Sequence, residues 1–466
     1  MRKINKLYAL LICACLLLLF AGGAIVADAK TETAPLRVPW NVTEHKMKNG
    51  MRALLLPDNS APMVVMKVWY AVGSRDEQPG LTGIAHYLEH MMFRGTKKYG
   101  PKVFDKIIKK NGGSHNAFTG FDYTAYYERI ASDRLELIIE LEADRMVNLQ
   151  IEKAAFDAEK DVVHEERRTR YDRPVGKFWE QLRAVAYTNH PYKNPIIGWP
   201  EDIDAITIKD MEAFYKRYYS PENAVAVLVG DFKVKEAIAL LEKHFGKIPK
   251  SPTFRKRPAL AEFPQKSERR VYVRADAQLP YMAIGYHAPN WKSEDAPALV
   301  MLEAILGGGE TSRLHQRLVR KDTLALGAGS DYTYTSVDPM IFYLYARVAP
   351  GKKAADAEKA LLEEVEKLIE KGVGEEEFRR ALRSIEANTV FAMDSHYYRA
   401  RLLGTAAISG DWRLLEGYLP ALRKVTPADV VRVARKYLNH KNKTTAELIP
   451  TKKKRRAKAA NSRGGS

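Results

Sequence analysis

Residues 80–96 read "GLTGIAHYLEHMMFRGT" and residues 296–309 read "APALVMLEAILGGG". Both are apolar, helical in their spacing and followed by glycine. The first carries His86, Glu89 and His90, whereas the second has no histidine. The match extends outward from these two segments. "MRALLLPD" (51–58) and "PMVVMKVWYAVGS" (62–74) precede the first as strands, and "RRVYVRA" (269–275) and "YMAIGYHAP" (281–289) precede the second. "KVFDKIIKKNGG" (102–113) follows the first as an amphipathic helix, and "SRLHQRLVRK" (312–321) takes the equivalent place. "HNAFTGFDYTAYYERI" (115–130) has its echo in "PMIFYLYARV" (339–348). Helices are expected at 133–148 and 153–172 in one half, and at 353–371 and 375–394 in the other. The strands "NAVAVLVGDF" (223–232) and "TTAELIP" (444–450) close the halves.

The pattern predicts an α+β chain of two homologous α/β-sandwich domains, each a mainly antiparallel sheet packed with helices. Their expected bounds are 36–248 and 269–450, joined by a Pro- and Lys-rich linker at 249–268. At 466 residues, 46% hydrophobic and 28% charged, the chain can bury more than one core.

The N-terminus reads separately. "MRKINK" is a basic start, a long apolar run follows, and "ADA" (27–29) is a small-residue cleavage site. Residues 1–29 are therefore expected to be a signal peptide, and the protein to be exported, in bacterial terms to the periplasm. An uncleaved membrane anchor or a lipoprotein is the alternative. Cys13 and Cys15, the two cysteines of the chain, both lie in this segment. The remainder offers no thiolate, so a metal site there must use His, Asp and Glu.

The formal charge is +18. The leader carries +2 of it and residues 451–466 carry +7, which leaves +9 spread along the rest. The C-terminal run reads as a basic, solvated tail. No nucleic acid is expected as partner, since neither stacking aromatics nor a recognition motif accompanies it. Membrane association is expected only if the leader is retained.

Histidines four residues apart share a helix face, so His86 and His90 can reach one ion, with Glu89 beside them. Two imidazoles and an oxygen donor suit zinc with one position left open. Zinc acidifies a water molecule, and an adjacent carboxylate can take its proton. H-x-x-E-H is a metallopeptidase signature. That the second copy of the segment lacks it indicates that the fold does not require the polar cluster. The third ligand should be a carboxylate on another helix, and "AEKDVVHEERRTRYDRP" (158–174) offers Glu159, Glu165 and Glu166. Glu159 and Glu166 are two turns apart and share a face, while Glu165 points about 100° away. A solvated charged helix face is the competing reading of this segment.

Together, "HYLEHMMFRGT", "GGSHNAFTGFDYTAYY", "EKDVVHEERRTRYDRP", "HPYKNPIIGWPEDI", "YYSPENAVAVLVGDF" and "LGGGETSRL" resemble the pitrilysin-type (M16) zinc metallopeptidases. The resemblance covers the mature chain except its basic tail and is nearest to the short subfamily with one repeat pair, which includes mitochondrial processing peptidase subunits. It implies an endopeptidase acting on peptides or unfolded polypeptides, with one zinc ion per chain held by His86, His90 and Glu166. It implies Glu89 as general base and Glu159 as the supporting catalytic carboxylate. Asn116, Ala117 and Phe118 then lie on an edge strand that pairs with extended substrate, a form of recognition that demands no particular sequence. His115 and His164 are expected to be bystanders.

The resemblance further implies that the chain forms half of a clamshell, completed as a homodimer or as a heterodimer with a homologous subunit. Arg317 and Arg320 are the substrate-binding candidates of the second half. Leu326 stands where a tyrosine is expected, and Tyr332 lies further on. A subunit active only with a homologous partner, and a non-catalytic core subunit of the same fold, are the alternative readings.

Overall fold

The computed structural model of the chain describes residues 40–171 and 173–451. The expected leader (1–29) and the basic tail from 452 onward lie outside the described residues. The chain opens with β1 (Thr43–Lys46), β2 (Arg52–Pro57) and β3 (Met63–Tyr70), then α1 (Ile84–Met91) and α2 (Val103–Lys110). The hairpin β4 (Ser114–Thr119) and β5 (Thr124–Ala131) leads into α3 (Leu135–Asn148), α4 (Lys153–Tyr171), α5 (Pro174–Ala186), α6 (Pro200–Ala205) and α7 (Ile208–Tyr218). Strand β6 (Ala224–Gly230) and helix α8 (Val234–His244) complete the first half.

The second half runs β7 (Arg269–Ala275), β8 (Tyr281–Ala288), α9 (Ala296–Gly307), β9 (Ala325–Tyr332) and β10 (Met340–Val348). Helices α10 (Ala354–Lys371), α11 (Glu375–Met393), α12 (His396–Ser409), α13 (Leu414–Arg423) and α14 (Pro427–Tyr437) follow, and β11 (Lys443–Pro450) ends it. The segment 315–321, expected as an ordinary amphipathic helix, is wound as a π-helix.

The first sheet has the order β1-β2-β6-β3-β5-β4 and the second β7-β11-β8-β10-β9. With β1 set aside, the orders correspond strand for strand. Each sheet contains one parallel pair, β2 with β6 and β7 with β11, and is otherwise antiparallel. This is the α+β duplication expected from the sequence. Strands β4 and β9 are the equivalent edges.

Strand alternation explains how each sheet is covered. Ala53 and Leu55 of β2 face one core, with Ile84, Leu88, Ile138 and Val163 from helices of the same half. Leu54 and Leu56 face the opposite way, onto Ala400, Leu403, Ala406 and Ala407 of α12, from the other half. The second sheet is treated in the same manner: Val273, Ile341 and Leu448 pack on Phe178 and Leu182 of α5, from the first half. Each sheet is thus covered on one face by its own helices and on the other by a helix of its counterpart. Apolar residues on both faces of β2, β3 and β6 leave two faces to remove from water, at roughly 1.5–3 kcal/mol for each fully buried large aliphatic side chain.

A buried polar network ties the halves together. Arg75 Nε donates to Asp338 at 2.5 Å, and His190 Nε2 donates to the same carboxylate at 3.0 Å. Tyr192 donates to Asp122 at 2.7 Å, and Asp122 accepts the Val337 N–H at 3.0 Å. Arg257 of the linker bonds Asp76 and the Asp122 carbonyl.

Candidate metal centre

Helix α1 begins where two glycines let two backbones touch. Gly83 (φ 93°) and Gly198 (φ 91°) lie in the left-handed region. A Cβ on Gly83 would meet the Ile197 carbonyl oxygen at 2.2 Å, and one on Gly198 would meet that of Thr82 at 2.2 Å. Glu77 accepts the N–H groups of Gly83 and Ala85, both at 2.9 Å, and so satisfies two free donors of the first turn. Asp202 accepts the Thr82 hydroxyl at 2.5 Å, which secures the crossing. Ile84, Ala85, Tyr87, Leu88 and Met91 sit in the core.

Those anchors set the face carrying His86, Glu89 and His90 against α4, and the two imidazole centroids are 4.7 Å apart. Helix α4 is mostly polar and holds its place through Phe156 and Val163, two turns apart in the core, and through the buried pair of Arg167 with Glu180 of α5 (2.9 Å). It brings Glu166 to the histidines: Oε2 lies 3.5 Å from His86 Nε2 and 3.3 Å from His90 Nε2. Ligand atoms of His86, His90 and Glu166 all lie within 4.8 Å of one another. Glu159 Oε1 is 2.7 Å from His90 Nδ1, and its other oxygen is paired with Arg94.

The donor set fits a zinc ion. Bonds of about 2.0–2.1 Å in a tetrahedral site place neighbouring donors about 3.3 Å apart, close to the 3.5 and 3.3 Å that separate the two Nε2 atoms from Glu166. Protonation states agree with this. Burial, reinforced by His90, pushes His86 down to about 3, so it is the neutral, metal-competent form at pH 7. The hydrogen bond with His90 pulls Glu166 down to about 2, so it is the carboxylate.

Glu89 is buried, with 8% of its surface exposed, and burial raises its pKa. It accepts a hydrogen bond from Thr119 at 2.5 Å. Thr119 stands on β4, whose outer backbone edge bears no strand among the described residues. Asn116 and Ala117 lie on this edge. Phe118 points its ring to the far face, where it packs edge-on against Trp69 with centroids 5.4 Å apart.

The remaining candidates lie apart from the cluster. Glu165 is exposed and bonded to Arg168; His164 pairs with Asp204, and His115 with Asp105. Arg317 is engaged by Asp322, Glu363 and Glu364, and exposed Arg320 by Glu310. Leu326 is 47% exposed on β9, while Tyr332 is buried with its hydroxyl on the Pro289 carbonyl. Sequence reasoning did not single out Thr119 or Glu77. Strand alternation offered a signal for Thr119, since residues 117 and 119 share the face toward α1. Glu77 had none, because its partners are set by the loop that follows it.

Family models place this geometry in context. Residues 52–199 match the insulinase model (peptidase family M16), and residues 205–385 match the model described as the M16 inactive domain. The chain belongs to peptidase family M16. This M16 chain is 34% identical over 412 residues to the zinc protease PqqE of Helicobacter pylori, covering 87% of this chain and 92% of that one. The crystal structure of a protease from Helicobacter pylori superposes with a TM-score of 0.85 at 32% identity, over 89% of this chain and all of that one. The periplasmic protease PqqL of Escherichia coli shares the fold at TM-score 0.76 and 19% identity; 89% of this chain corresponds to 48% of that one.

Proposed function

We propose that this chain is a zinc-dependent endopeptidase that hydrolyses peptides or unfolded polypeptides, one zinc ion being held by His86, His90 and Glu166. The observation that carries the reading is the convergence of these three groups with the buried carboxylate of Glu89 beside them. A bound zinc ion supplies Lewis acidity, which acidifies water and polarises a peptide carbonyl.

The chain's own residues do the rest. Glu159 accepts a hydrogen bond from Nδ1–H of His90, and so would keep the Nε2 lone pair of that ring available to a bound ion. Glu89 acts as general base toward the attacking water and then delivers the proton to the leaving amine nitrogen. The free edge of β4 at Asn116 and Ala117 pairs with an extended peptide main chain. In this reading residues 36–248 form the domain bearing the centre, and residues 269–450 its homologous companion.

We also propose that a second, homologous half completes the site. Three carboxylates hold the Arg317 guanidinium within the chain, and the whole of PqqL is about twice the length matched here. The apolar leader supports export to the periplasm. No helix among the described residues is long and apolar enough to cross a membrane.

The deciding experiment compares zinc content with chelator-sensitive hydrolysis of an unstructured peptide, for the chain alone and mixed with a co-encoded homologue. Hydrolysis by Glu89→Gln at the wild-type rate would rule out the base assignment, and a zinc-free active protein would rule out the metal.

A further inference from the structure

Glu89 does not stand on its helix unsupported. The hydroxyl of Thr119 donates to Glu89 Oε2 at 2.5 Å, across the gap between α1 and the edge strand β4. Thr119 is the register partner of Thr124 at the closed end of the β4–β5 hairpin, and their hydroxyl oxygens lie 3.5 Å apart. Thr124 is fully buried and has committed its own hydrogen to the Val72 carbonyl at 3.0 Å. Two residues along β5, the Tyr126 hydroxyl meets that of Tyr219 at 2.8 Å. With Thr124 so engaged, the hydrogen of Thr119 has Glu89 as its acceptor.

We propose that Thr119, braced by Thr124, is a positioning residue for Glu89: its hydroxyl holds one carboxylate oxygen and leaves the other free to receive a proton. The inference rests on the reading of Glu89 as general base and deepens it. A carboxylate on a short helix retains rotation about its last bond, and a charge-assisted hydrogen bond to one oxygen removes it. The placement has a second consequence. Ala117 and Thr119 are two residues apart on one strand, so the strand that registers the peptide main chain also registers the base. Lateral movement of β4 would displace both together, which keeps the carboxylate in step with the scissile bond.

The test uses Thr119→Val, Thr119→Ser and Thr124→Val in the full chain, with any partner subunit it requires. Valine keeps the shape and removes the hydroxyl; serine keeps the hydroxyl. For Thr119→Val, kcat should fall by about tenfold to a hundredfold, with KM within about twofold and zinc content unchanged. Thr119→Ser should recover to within about threefold, and Thr124→Val should fall between the two. A crystal structure of Thr119→Val should show the Glu89 carboxylate turned from its wild-type orientation. An unchanged orientation in that variant, or a serine variant as impaired as the valine one, overturns the proposal. If wild-type protein hydrolyses no peptide, the parent reading fails, and the orientation of Glu89 still decides the role of Thr119.

Discussion

Glu159 Oε1 sits 2.7 Å from His90 Nδ1, on the side of the ring away from Glu166, while Nε2 of the same ring is 3.3 Å from Glu166. One histidine is therefore gripped by two carboxylates seven residues apart on a single helix. The arrangement separates their duties: one can bind the ion, and the other orients the ring.

Replacing Glu159 with Gln should weaken zinc binding by about tenfold to a hundredfold without abolishing it. Competition with a chromophoric chelator measures this directly. An affinity equal to wild type would mean that the ring is held by its packing alone.

Removing a direct donor should have a larger effect. His86→Ala and Glu166→Ala are expected to purify without stoichiometric zinc, and their melting temperatures should no longer respond to added zinc or chelator. A full complement of zinc in either variant would exclude that residue as a ligand.

Gly198→Ala tests the backbone crossing that aims α1. The new Cβ would lie 2.2 Å from the Thr82 carbonyl oxygen, at a residue whose φ is 91°. A loss of roughly 1–3 kcal/mol from the strained conformation is expected, more where the clash cannot relax, read from chemical denaturation. Zinc affinity should fall with it, because displacement of α1 moves both histidines relative to α4. Wild-type stability in this variant would show that the contact is slack.

Lys67 provides a pH test. Its ammonium is buried between Tyr397, at 3.3 Å from the ring centroid, and Tyr127, without a hydrogen-bond partner, and burial, aided by Arg401, brings it down to about 7. Its unfolded value is about 10.4. Between pH 7 and that value the unfolded chain holds more protons at this site, so stability should rise with pH. Urea denaturation at pH 7 and pH 9 should show that rise in wild type and a smaller one in Lys67→Met. Equal slopes in the two proteins would assign the rise to other groups.

Much of this was legible in the residues themselves. The repeat was readable because each half re-uses one order of period-2 and period-3.6 segments, and both sheets carry it. His86, Glu89 and His90 announced themselves as polar residues at a helical spacing inside an apolar run. Glu166 could be narrowed to a few carboxylates by helix periodicity, but its choice over Glu159 needed the family resemblance, because both share one face of α4. The exchange of α5 and α12 between the sheets was not legible: an amphipathic stripe states that a helix has a buried face without stating which sheet receives it.

The sequence by itself determined the two-fold α+β repeat, the histidine pair and its neighbouring carboxylate, since these are matters of local periodicity and side-chain chemistry. The tertiary structure decided which carboxylate meets the histidines, which one orients His90, and that a threonine from an edge strand grips Glu89. Those contacts join residues from 30 to 80 positions apart. They depend on the packing of α1 and α4 against the sheet whose edge strand is β4, which no spacing along the chain encodes.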